Sequence, residues 1–184
     1  MPIELQCTDP MTAEDLADPD VPEKLVELVE GELVTMAPAG TFHNTVAMNI
    51  LFLFRQFCRE HPEFSYGGDN DGFIIQRNPD TVLSPDASLF RRRSLSGAPW
   101  LEFAPEIAVE VLSPSNSRTE MAFKRHRYFD AGTEQFWLVD PEKRQIEFHE
   151  RDGRVLVATG EEVIEGTGIA SGMHISLTEL FRDR

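Results

Sequence analysis

Three side chains, far apart along the chain, have the types and settings that phosphodiester hydrolysis needs. Glu110 lies inside the apolar run Ile107-Ala108-Val109-Glu110-Val111-Leu112. A run of this kind reads as a buried strand. An ionised carboxylate is costly to keep there without a cleft or a cation beside it. Asp86 follows Pro85 and heads a second short strand, Ala87-Ser88-Leu89-Phe90. Lys124 falls in a helical stretch just after the Glu110 strand. A divalent ion on two carboxylates binds and activates a nucleophile, and a lysine orients water and stabilises developing charge. Magnesium prefers oxygen ligands and keeps several waters, so Asp86, Glu110 and the Val111 carbonyl form a sufficient set. Manganese is an acceptable substitute. The reading at this level is a metal-dependent nuclease.

These residues need a scaffold, and the chain predicts one. It has 184 residues, 41% hydrophobic and 27% charged, which suits a single globular domain over 1–184. Residues 1–22 read as a lead-in with one short helix near Thr12, 25–150 as the core, and 151–184 as a C-terminal extension. Glu30-Gly31 between alternating apolar runs predicts an N-terminal β-hairpin. In that hairpin Val29 faces Glu32 and Glu27 faces Val34, so Glu27 and Glu32 share a face, which the pattern in isolation explains better as a solvated outer face. Val46, Ile50, Leu53, Phe54 and Phe57 predict a helix from His43 to about Glu60, ending at His61-Pro62. Strands are expected at 73–76, 87–90, 107–112, 134–139, 145–150 and 155–157. Residues 67–72 read as a turn, 77–84 as a loop and 91–104 as irregular. A helix over 118–131 stops at Gly132. Its Glu120, Lys124 and Tyr128 form a polar stripe, leaving Ala122, Phe123, His126 and Phe129 as the packing side. Strand, helix, strand from 107 to 139 predicts some parallel pairing. The fold class is α/β, an α+β mixed sheet flanked by helices.

Composition narrows the partners. The net charge of -15 counts against a general affinity for nucleic acid. Arg91-Arg92-Arg93 with Arg118, Lys124, Arg125 and Arg127 would have to supply a local basic patch. The longest apolar run, Ile50 to Phe54, is far below the roughly 20 residues that span a bilayer. Only Cys7 and Cys58 are present, so no disulfide framework is expected. With no basic-then-apolar leader at the N-terminus, a cytoplasmic setting and no membrane partner are expected.

Pro85-Asp86, then Val109 to Ser115, then Lys124, Tyr128, Gly132 and Trp137-Leu138-Val139-Asp140-Pro141 together resemble the Uma-two family, grouped with the restriction endonucleases of the PD-(D/E)XK superfamily. Glu27 to Leu33 and His43 resemble that family's N-terminal motif. The resemblance implies a restriction-endonuclease-like fold. It also implies a magnesium-dependent endonuclease acting on DNA through Asp86, Glu110 and Lys124, with Glu27, Glu32 and His43 in support. A homodimer would let two sites address two strands. One departure from the superfamily stands out: Leu112 occupies the position two residues after the strand acid, where a lysine is usual, so Lys124 would have to serve from the helix. Two other functions compete: a non-catalytic interaction module that keeps the fold, favoured by the acidic charge, and a hydrolase of a small phosphate ester.

Overall fold

The computed structural model describes residues 10–18, 21, 26–35, 40–68, 70–93, 99–114 and 116–182. Cys7, the hairpin ends Leu25 and Met36, Asp69, Gly97 and Ser115 lie outside the described residues. The strands are β1 (Val26–Val29), β2 (Glu32–Thr35), β3 (Phe64–Gly68), β4 (Phe73–Gln76), β5 (Thr81–Leu83), β6 (Ala87–Arg91), β7 (Ile107–Val111), β8 (Gln135–Asp140), β9 (Gln145–Glu150), β10 (Val155–Thr159), β11 (Val163–Glu165) and β12 (His174–Ser176). The helices are α1 (Thr41–Glu60), α2 (Arg118–Ala131) and α3 (Leu177–Leu180).

Local chemistry accounts for the element ends. Glu30 (φ 51°) and Gly31 (φ 81°) both take positive φ, as a two-residue hairpin turn of the primed type requires. The β1–β2 register pairs Val29 with Glu32 and Glu27 with Val34, as the two-residue turn dictates. Ser117 and Glu120 form a capping box at the start of α2, and Gly132 closes it in the left-handed region. Near residue 12 the structure has only a single 3-10 turn, Asp15–Ala17. Thr12 Oγ1 donates to Asp15 Oδ2 at 2.8 Å there.

The central sheet runs β10-β9-β8-β7-β6-β3. Only β7 and β8, joined through α2, pair in parallel, so the sheet is mixed. Alternation along β7 sends Val109 and Val111 to one face and Ala108 and Glu110 to the other. The first face packs under α1 (Val46, Ile50, Phe54) with Trp137, Ile146 and Phe148, and Leu177, Leu180 and Phe181 join it from the C-terminus. The second packs under α2, with Met121 and Tyr128 against Ala108, Phe136 and Leu138. A smaller sheet, β2-β1-β5-β4, has Leu28, Ile74 and Val82 against Ala13 and Leu16. Its Leu83, Val29 and Ile75 face the α2 cluster instead. The same alternation turns Glu27, one residue from Leu28, toward α2. Among the described residues no helix is long and apolar enough to cross a membrane.

Three expectations are corrected. Residues 64–68 form β3, an edge strand on β6, rather than only a turn. A side chain at Gly67 would meet Asp71 Oδ2 at 2.3 Å and Ser88 Oγ at 2.9 Å, so a larger residue there would displace both side chains. The loop expected over 77–84 contains β5, an interior strand of the smaller sheet that is too short to show a period. The faces of α2 are reversed: Met121, Lys124 and Tyr128 are buried, while Ala122, Phe123 and His126 are exposed and Phe129 is partly buried. Of the polar stripe, Lys124 and Tyr128 turn inward, where carboxylates beneath the helix pair with Lys124, while Glu120 stays exposed at the capped end.

Candidate active site

Glu110 sits at the middle of the sheet, on the α2 side, and is 5% exposed. The helix face that carries Lys124 lies above it. Lys124 Nζ is 3.3 Å from both Glu110 oxygens and donates to Glu27 Oε1 at 2.9 Å. All three groups are buried. The smaller sheet therefore delivers a second carboxylate to the same lysine from its β1 strand. Glu27 Oε1 also accepts the Ser84 backbone N–H at 3.0 Å, which fixes its direction.

Asp86 stands just before β6. The antiparallel register pairs Ala87 with Val109, so Asp86 comes alongside Glu110 on the neighbouring strand. Its Oδ2 accepts the Val111 N–H at 2.7 Å. His43, in the first turn of α1, brings Nε2 to 3.3 Å from the same oxygen. Its Nδ1 lies 3.4 Å from Asn44 Oδ1. Elements from both faces of the sheet thus meet at one end of β6 and β7.

The electrostatics follow from this crowding. Burial drives Glu110 up to about 8, opposed by Lys124 and reinforced by Asp86 and Glu27. Burial works to strip the Lys124 proton, but Glu110 and Glu27 outweigh it and hold the ammonium well above the usual lysine range. Burial likewise acts to lower His43, yet the Asp86 carboxylate prevails and its pKa is raised, with the Val111 backbone contributing.

Of the residues singled out from the sequence, Glu27, Glu110 and Lys124 form one ion-pair cluster, and Asp86, Val111 and His43 form a hydrogen-bonded group at its edge. Glu32 is exposed on β2 and makes no ion pair with Lys124. The supposed basic patch is dispersed. Arg91 and Arg93 pair with Glu106, Arg118 with Glu147, Arg127 with Glu30, and Arg125 contacts His149. Sequence reasoning missed the Ser84 N–H that anchors Glu27, which leaves no trace in side-chain types. It also placed Tyr128 at the surface, although its four-residue spacing from Lys124 was the signal that both share a face.

A family model described as Uma2, a putative restriction endonuclease, matches residues 13–178, nearly the whole chain. The chain belongs to the Uma2 family. The fold of this Uma2 protein is also that of a solved relative, a putative nuclease belonging to DUF820 from Anabaena variabilis, at a TM-score of 0.73 and 20% identity. The match covers 85% of this chain and 89% of that one. The mixed sheet flanked by helices is thus restriction-endonuclease-like. None of the curated proteins matches the chain.

Proposed function

We propose that this Uma2 protein is a magnesium-dependent endonuclease that hydrolyses DNA phosphodiester bonds, with Asp86, Glu110 and Lys124 at its centre and Glu27 and His43 supporting them. One observation carries the reading. Lys124 Nζ meets Glu27 and Glu110 at 2.9 and 3.3 Å, while Asp86 is fastened to Val111, the residue that follows Glu110.

The donor set suits the ion. Among the described residues no three His, Cys, Asp or Glu side chains form a ready cage. Magnesium keeps several waters, so the Asp86 and Glu110 carboxylates with the Val111 carbonyl are enough. Glu27 and Glu110 share one lysine while Asp86 stands at the edge of the pair, and the charges of Asp86 and Glu27 add to burial in pushing Glu110 to about 8, a crowding of carboxylates that a cation relieves. When bound, magnesium supplies Lewis acidity at a phosphoryl oxygen and acidifies a water.

The chain's own groups do the rest. Lys124, kept protonated by its two carboxylates, is an electrostatic partner for charge developing on the phosphoryl group rather than a base. Glu27 orients that ammonium and is itself held by Ser84. His43 faces Asp86 and can hold a proton at Nε2 beside the reacting centre. As a homodimer, the protein would bring two such sites to the two strands of a duplex.

Incubation of the purified protein with supercoiled DNA and magnesium or manganese tests the proposal. Nicked or linear product is expected, and it should vanish in Asp86→Ala and Glu110→Ala. Absence of cleavage, or cleavage unchanged in both variants, refutes it. Parallel assays on nucleotides separate a hydrolase of small phosphate esters, which the net charge of -15 would repel less than it repels long DNA.

A second reading is a non-catalytic interaction module. It is favoured by Lys124 already compensating Glu27 and Glu110 within the fold. A calorimetric titration showing no divalent-ion binding supports it; binding that is lost in Glu110→Gln opposes it.

A further inference from the structure

Tyr128 is fully buried, and its hydroxyl completes no hydrogen bond of ordinary geometry. Buried polar groups almost always have one, and leaving one unmade costs about 1–3 kcal/mol. The position of the ring is not accidental. Tyr128 lies one helical turn beyond Lys124 on the inward face of α2. It packs in the cluster of Ala108, Met121, Phe136 and Leu138, with the Phe136 ring centroid 6.0 Å away. Ala108 precedes Glu110 by two residues on the same face of β7, so the Glu110 carboxylate lies at the edge of the tyrosine's pocket. Burial first, then the charges of Glu110, Glu27 and Asp86, and last the approach of the hydroxyl to the Glu110 side chain, raise the phenol well above its ordinary value, so the group is a neutral donor already close to Glu110.

Glu110 has room for such a donor. A charge-assisted N–H···O bond is typically about 2.7–2.9 Å long. Lys124 meets Glu27 within that range at 2.9 Å, but both Glu110 oxygens only at 3.3 Å. A carboxyl group has several acceptor sites and keeps some of them even when protonated. Glu110 is therefore the loosely held member of the cluster, with an unspent hydroxyl beside it.

We propose that Tyr128 is a positioning residue for Glu110: when Lys124 is drawn off toward a phosphate or repelled by a bound cation, the Tyr128 hydroxyl donates to the Glu110 carboxylate and keeps it aimed. The catalytic consequence rests on the nuclease reading above, but the hydrogen bond can be tested apart from it. The group acts through Glu110 and touches no reacting atom.

The chain has only two tyrosines, so Tyr66→Phe leaves Tyr128 as the sole tyrosine in the full-length protein. Ultraviolet resonance Raman then reads its hydrogen bonding from the intensity ratio of the tyrosine doublet. At rest the ratio should be high, as for an unbonded hydroxyl. It should fall to that of a donor to a carboxylate when Lys124→Met removes the competing cation, and again in the lysine-containing protein on saturation with manganese. A ratio unchanged in folded Lys124→Met overturns the proposal, as does a donor-type ratio at rest. Lys124→Gln takes its place if Lys124→Met does not fold. Calorimetry adds a second readout: Tyr128→Phe should keep its thermal stability yet weaken manganese binding roughly 10-fold or more, as loss of an orienting partner does. Equal affinity with intact Tyr128 and with phenylalanine also overturns it. If the protein binds no manganese, the metal reading fails while the lysine variants still decide the role of Tyr128.

Discussion

Replacing Lys124 with methionine is the most informative single change. The side chain is 6% exposed and pairs with Glu27 and Glu110, themselves 2% and 7% exposed. Methionine fills most of the stem's volume, so the loss is chiefly of charge. Two buried carboxylates are then left without a cation, and breaking a buried pair in this way costs about 3–5 kcal/mol. For a domain of this size each kcal/mol moves the melting temperature by about 2–4 °C, so a fall of roughly 6–20 °C is expected. The deficit must depend on pH. A carboxyl whose folded pKa is raised stabilises the fold below its unfolded value and loses that contribution as pH rises through the folded value. Glu110 already sits at about 8 against an ordinary 4.5 with Lys124 present, and losing the cation raises it further. The variant should therefore be nearest to the parent at acid pH and fall away as the solution is made neutral and then alkaline. Adding Glu27→Gln and Glu110→Gln removes the stranded charges and should restore most of the loss. Thermal unfolding followed by circular dichroism at several pH values measures all of this. A drop under about 1 kcal/mol, the range of exposed pairs, with no pH dependence would falsify the buried cluster.

Two further outcomes follow from local geometry. Ser117→Ala removes the side-chain half of the capping box on α2 and should cost about 1 kcal/mol in urea unfolding; no change would mean the box contributes nothing to the helix that carries Lys124. Asp86→Asn keeps an acceptor for the Val111 N–H but removes the charge that raises His43, so burial is opposed only by the smaller contributions of Asn44 and the Val111 backbone and the His43 pKa should fall. Proton NMR titration of the His43 ring reads this directly, and an unmoved pKa would show that His43 does not depend on Asp86.

Much of the scaffold was legible in residue order. The Glu30-Gly31 turn and its register, α1 ending at His61, α2 from Arg118 to its Gly132 stop, and the strands around Asp86 and Glu110 all have strong local signals. β5 did not, because three buried residues show neither period. Nor did β3, where Gly67 packs closely against Ser88 and Asp71, and Gly68 against Leu51, rather than forming a turn. The reversal of α2 had a different cause. Hydrophobicity assigns Lys124 and Tyr128 to water, and it has no means of anticipating carboxylates held beneath them by another sheet.

The amino-acid order by itself determined the kinds of groups available and the short-range geometry of the pieces that carry them: a carboxylate within a strand, another at a strand's start, a lysine on a helix. Periodicity and capping act over a few residues, so they are written in neighbouring side chains. Which groups meet was decided only by tertiary packing. Glu27 reaches Lys124 across 97 positions, and Glu32, on the same hairpin face, does not. The difference lies in where the smaller sheet rests against α2: a carboxylate placed under the helix must find a cation there, while one on the outer strand is satisfied by water.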